Sequence, residues 1–209
     1  MIQSPYRNKR KGDYLQWMIP GTVLAAQRET EGESEQMIRS MFLGGDISLA
    51  QVTAVTGLEP YTVQNWVKRG FLTAPVRKKY SLNQLCRIIN INMLRGVFSL
   101  ERTCGLLSYI NGQLDCEADD IIGDSALYFM FISLASRAQQ LTKPEACERI
   151  LAEMLRDYSE PYPGAKDRIS EVLKVMLTAY LASKMRTSAD SMLSNLEKKV
   201  QNTTKSNEK

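Results

Sequence analysis

The twelve residues Glu59-Pro-Tyr-Thr-Val-Gln-Asn-Trp-Val-Lys-Arg-Gly70 decide how the rest of this chain is read. Pro60 suits the first position of a helix, where its missing N–H costs nothing. Gly70 suits the turn that ends one. Between them Val63, Trp66 and Val67 form an apolar stripe at helical spacing, so Tyr61, Gln64, Asn65 and Lys68 face outward.

Working outward, Ser48-Leu-Ala-Gln51 has the form of a capping box: the Ser hydroxyl accepts from the backbone N–H three residues on, and Gln51 reaches back. Leu49, Val52 and Val55 share a face of that helix, and Thr56-Gly57 stops it. On the other side, Phe71-Leu72 and Tyr80 bracket Thr73-Ala-Pro-Val-Arg-Lys-Lys79, a short hairpin whose exposed part is nearly all cationic. Ser81-Leu-Asn-Gln84 repeats the capping box and opens a helix with Leu85, Ile88, Ile89, Ile91 and Leu94 facing in, until Gly96 breaks it. Ser99 caps a fourth helix carrying Leu100, Leu106, Leu107 and Ile110, and Asn111-Gly112 turns the chain. Helix, tight turn, second helix, basic hairpin is the order in which a winged helix-turn-helix meets duplex DNA.

Charge points the same way. Residues 47–112 carry eight cations (Lys68, Arg69, Arg77, Lys78, Lys79, Arg87, Arg95, Arg102) against Glu59 and Glu101, a net +6 within a chain of net +4. A small module that basic favours phosphate. The chain has no histidine, which removes the commonest general base, and its four cysteines (Cys86, Cys104, Cys116, Cys147) form no close pair of the kind structural zinc needs. No enzymatic activity, metal or cofactor is expected. The densest apolar run, residues 126–135, is about half a membrane span, and the basic run Arg7, Lys9, Arg10, Lys11 precedes no secretory core. The expectation is a cytoplasmic protein without membrane association.

Residues 48–110 resemble the DNA-binding domain of MerR-type regulators. The resemblance rests on Gly57, Trp66, Gly70-Phe71-Leu72, Lys79-Tyr80-Ser81, Gly96 and Phe98-Ser99-Leu100-Glu101 in that order. Asn65 to Gly70, together with Ala74 to Ser81, is closer still to a bacterial family, the domain of unknown function 1836, which implies a MerR-like fold and no known ligand. MerR-type helices often carry Arg-Tyr before the core aromatic, whereas this chain has Gln64-Asn65. Gln and Asn read adenine in the major groove.

Outside that region, residues 1–46 read as an N-terminal helical arm. Its apolar segment is Asp13 to Ile19, its polar loop Arg28 to Ser34, and its short helix Glu35 to Phe42. Arg7 to Lys11 could alternatively serve as an arm along a DNA groove. Residues 113–200 read as a C-terminal helical domain for dimerisation or ligand sensing. It opens on an acidic linker (Asp115, Glu117, Asp119, Asp120, Asp124) and continues with an all-round apolar helix from Ser125 to Gln140. A further helix starts at Lys143-Pro144, and a last helical stretch runs from Ala165 toward Val200, either continuous or broken near Thr187. An apolar stripe to the end of so long a helix asks for either a break or a second subunit, and a homodimer is favoured. The aromatics Tyr128, Phe129, Phe131 and Tyr180 are plain core, or alternatively a pocket for a small-molecule effector. Residues 201–209 read as a disordered tail.

The expected fold is all-α with a small β wing, a MerR-like winged helix-turn-helix (47–112) followed by a C-terminal helical bundle. The expected function is a transcriptional regulator binding double-stranded DNA as a homodimer through its C-terminal helices. Tyr61, Thr62, Gln64, Asn65, Lys68 and Arg69 would lie at the major groove, and Arg77, Lys78 and Lys79 on flanking phosphates. The alternative from another class is a protein-interaction module on a helix-turn-helix scaffold with little or no DNA affinity.

Overall fold

The computed structural model describes residues 16–27, 32–112, 114, 120–138 and 144–207. Its elements run β1 (Gln16–Met18), β2 (Ala25–Gln27), α1 (Glu33–Ser40), β3 (Ile47–Ser48), α2 (Leu49–Thr56), α3 (Pro60–Lys68), β4 (Lys79–Tyr80), α4 (Leu82–Leu94), α5 (Leu100–Asn111), α6 (Asp124–Ser136), α7 (Pro144–Met154) and α8 (Ala165–Asn207). Among the described residues the fold is mostly helical with two small two-stranded sheets, β1–β2 and β3–β4, both antiparallel. The basic run Arg7 to Lys11, most of the 28–34 loop, the carboxylates Asp115, Glu117 and Asp119, and Cys116 lie outside the described residues.

Local chemistry sets the helix starts. Both capping boxes form: Ser48 accepts from Gln51 N–H while the Gln51 side chain accepts from Ser48, and Ser81 and Gln84 repeat the pair. Ser99 accepts from the Arg102 N–H ahead of α5. Gly57 ends α2 at φ 68°, and Pro60 occupies the first turn of α3.

The core wraps around α4 and α6, the most extensive helix–helix contact among the described residues. Leu127, Tyr128, Phe131 and Leu134 of α6 are fully buried, as an all-round apolar helix requires. The first part of α8 lays Ile169, Val172, Leu173 and Met176 against this core. Packing therefore runs across the boundary expected at residue 112, because α6 sits directly on α4.

Two expectations, the helical arm and the tail after residue 200, are corrected. Among the described residues of the N-terminal arm, helix is confined to α1, which starts at Glu33; Gln16–Met18 and Ala25–Gln27 pair as a β-hairpin instead. That hairpin is held from far along the chain. Asn92 Nδ2 donates to the Gly21 carbonyl (2.9 Å) and the Thr56 carbonyl (3.0 Å), and the Tyr128 hydroxyl donates to the Pro20 carbonyl (2.7 Å). Gly21 lies at φ 74°, and a Cβ there would come within 2.6 Å of the Ile89 carbonyl oxygen, so the hairpin turn docks on α4 only as glycine.

The last helix is unbroken at Thr187, whose hydroxyl donates to the Ser183 carbonyl (3.0 Å) within the helical ladder. It also continues through residues 201–207, where a disordered tail was expected. No Pro or Gly occurs after Gly164 to stop it. At 43 residues, α8 is about 65 Å long at 1.5 Å per residue.

Candidate nucleic-acid interface

In α3, Val63 and Trp66 are buried and Val67 is half-buried, while Tyr61, Gln64, Asn65 and Lys68 are exposed. At about 100° per residue these four form one outward stripe. Tyr61 and Lys68 run along its middle, Gln64 lies beside Val67, and Asn65 lies on the far edge next to half-buried Thr62.

The cationic segment after α3 is stiffened from several directions. Tyr80 is buried, and β4 pairs with β3 in the register Ile47↔Tyr80 and Ser48↔Lys79, so the segment is fastened to the strand that leads into α2. Burial also pushes the Tyr80 hydroxyl above its usual pKa. Gln84 does more than complete its capping box: its Nε2 donates to the Thr73 hydroxyl (2.9 Å) and to the Thr73 and Ala74 carbonyls (3.1 and 3.2 Å). Arg87, on the same helix, donates from Nε to the Phe71 carbonyl at 3.0 Å.

At the tip, the Lys79 N–H donates to the Val76 carbonyl (2.9 Å), and Val76 and Lys79 bridge across a two-residue turn. The two turn residues, Arg77 and Lys78, have φ of 50° and 62°. Two successive left-handed residues are the mark of a tight hairpin turn that favours Asn-Gly. A left-handed residue with a long side chain costs about 1–2 kcal/mol, so both cations are presented against a steric preference.

Gln64 and Val67 of α3 and Pro75, Lys78 and Tyr80 of the hairpin segment border one open cleft of ≈ 440 Å³, with Leu49 of α2. The outward face of α3 and the cationic turn therefore share a side of the molecule. Arg69 does not extend freely from it. Its Nη2 lies 2.6 Å from Glu101 Oε1 on α5, and its guanidinium lies 4.7 Å above the Phe71 ring. Glu101 is held below the usual carboxylate range, first by backbone N–H donation at the start of α5 and also by Arg69. Nothing local in the sequence signals this pair, which spans 32 positions.

Of the C-terminal aromatics, Tyr128 and Phe131 are sealed in the core, and Phe131 meets Tyr180 edge-on at 5.8 Å. Phe129 borders a second open cleft of ≈ 450 Å³ between α1, α6 and α7, capped on one side by Arg39 at 4.5 Å over its ring. Among the described residues no group of His, Cys, Asp or Glu could hold a metal ion, and no helix is long and apolar enough to cross a membrane.

Residues 46–131 match the model of a family described as a domain of unknown function (DUF1836), so the match runs from β3 into α6. No curated protein and no solved structure matches the chain.

Proposed function

We propose that this chain is a DNA-binding transcriptional regulator built on a MerR-like winged helix-turn-helix, with α3 in the major groove and the 73–80 hairpin as the wing on phosphate. The observation that carries the reading is the shared cleft of Gln64 and Lys78, which sets the polar face of α3 and the cationic turn toward one partner. The major groove, about 12 Å wide, admits a helix. Arg77, Lys78 and Lys79 supply the sequence-independent phosphate contacts that dominate affinity. The chain acts as a homodimer through α8, whose Met185, Met192, Leu193 and Leu196 are exposed along a projecting helix. Two-fold readers match two half-sites.

The test replaces Lys78 and Lys79 together by alanine. Affinity falls for every duplex, and the salt slope drops by about one per lost phosphate contact. Unchanged binding at low salt rejects the reading.

One observation favours the second reading, a protein-interaction module: Arg69 is engaged by Glu101 instead of standing free for phosphate. A stoichiometric partner other than a second copy, with no duplex retained at ~50 mM salt, where phosphate contacts are strong, would select it.

A further inference from the structure

Resting on the DNA-binding reading, we infer that the base pairs under Gln64 and Asn65 are A·T pairs that present adenine to α3. An exposed carboxamide can make the two-bond contact to adenine N6 and N7, whereas guanine is read best by Arg or Lys through O6 and N7. On α3 both flanks of the outward stripe end in carboxamides. The one guanidinium at the end of this helix, Arg69, is committed to Glu101 at 2.6 Å and stacked over Phe71. The other cations of α3 and the hairpin are Lys68, in the middle of the stripe, and Arg77, Lys78 and Lys79.

The surroundings of Gln64 add a second, independent argument. Beside Gln64 its cleft is lined by Leu49, Val67, Pro75 and Tyr80, with Lys78 at the hairpin edge. Thymine alone carries a C5-methyl group into the major groove. A thymine paired with the adenine under Gln64 places that methyl against apolar side chains, while a cytosine, which lacks the methyl, leaves the wall without a partner. Asn65, on the opposite edge, reads a neighbouring pair. Selectivity is thus carried by two amides and one apolar wall, with Lys68 and the hairpin cations Arg77, Lys78 and Lys79 serving affinity.

The experiment selects bound duplexes from a randomised pool with the full chain at ~50 mM salt, then repeats the selection with Gln64→Ala and with Asn65→Ala. Both residues are exposed, and matching thermal melts confirm that the variants fold. The expected motif has two A·T positions per half-site, and a G·C pair at either one weakens binding by about five- to 150-fold. Gln64→Ala relaxes one position and Asn65→Ala the other. Enriched motifs with G·C at those positions, or motifs that neither variant changes, overturn the inference and leave DNA binding standing. Failure to enrich any duplex overturns the DNA-binding reading itself, and the inference with it.

Discussion

Arg87 of α4 and Phe71, the residue just beyond Gly70, are joined by a 3.0 Å hydrogen bond from Nε to the carbonyl oxygen. The same guanidinium reaches Asp124 at the start of α6 at 3.3 Å, with the two side chains only 6% and 13% exposed. Asp124 Oδ1 is buried with no partner among the described residues. Arg87 therefore fastens the segment following α3 to the helix at the centre of the core. Removing one member of a buried pair leaves the other charge unpaired, so Asp124→Ala is expected to cost about 3–5 kcal/mol. The double variant Arg87→Met with Asp124→Leu recovers most of that loss, short of about 1 kcal/mol for the Phe71 bond. Urea denaturation of the three proteins checks both values.

Acid acts on Asp124 and Glu101 with opposite signs. Burial lifts the Asp124 carboxyl above its ordinary 3.8, with Arg87 opposing. The folded chain then binds that proton where the unfolded chain has lost it, so this group's contribution to stability falls as pH rises through the window above 3.8. Glu101 is lowered from 4.5, so its contribution is present above 4.5 and lost as pH falls through its folded value. Denaturation midpoints followed from neutral pH through the carboxylate range show both effects, the first absent in Asp124→Asn and the second in Glu101→Gln.

The Glu101→Gln variant makes a further prediction. Without the carboxylate Arg69 is released, and a negative charge leaves the neighbourhood of the proposed phosphate path. Nonspecific duplex affinity rises and the salt slope steepens by about one. Fluorescence anisotropy titrations at several salt concentrations measure it, and an unchanged slope means Arg69 has no phosphate within reach.

The turn Arg77-Lys78 separates stability from binding. Arg77→Asn with Lys78→Gly supplies the residues that left-handed φ values prefer, and stability rises by about 1–2 kcal/mol. Duplex affinity falls at the same time, because two cations are gone. A variant that is both more stable and equally tight in binding would remove this turn from the proposed interface.

On α8, Met185, Ala189, Met192 and Leu196 follow the alternating spacing of a coiled-coil seam, and Met185, Met192 and Leu196 are 74%, 65% and 58% exposed. Met192→Lys with Leu196→Lys is expected to convert the proposed dimer to a monomer in sedimentation equilibrium, with the thermal melt of the core helices retained. A dimer that survives both lysines places the interface elsewhere.

What could be read in the sequence was local. The capping boxes Ser48/Gln51 and Ser81/Gln84, the Gly57 stop, Pro60 at a helix start and the outward stripe Tyr61, Gln64, Asn65 and Lys68 each depend on residues within a turn or two of one another. Periodicity and hydrogen bonds at that range are written in the order of the residues. The burial of α6 was legible for a related reason, since a helix apolar all round has no face to give to water.

Tertiary structure decided the rest. The strands at 16–18 and 25–27 are too short for alternation to reveal, and they are docked by Asn92 and Tyr128 from distant helices. The pairing of Arg69 with Glu101, the reach of Gln84 to Thr73 and the anchoring of Phe71 by Arg87 and Asp124 join residues that no local pattern couples. A side chain's partner across the chain is chosen by which surfaces pack together. The amino-acid order thus determined which helices form and which faces they turn outward, and packing around α4 and α6 determined which of their charges are held and which are left exposed.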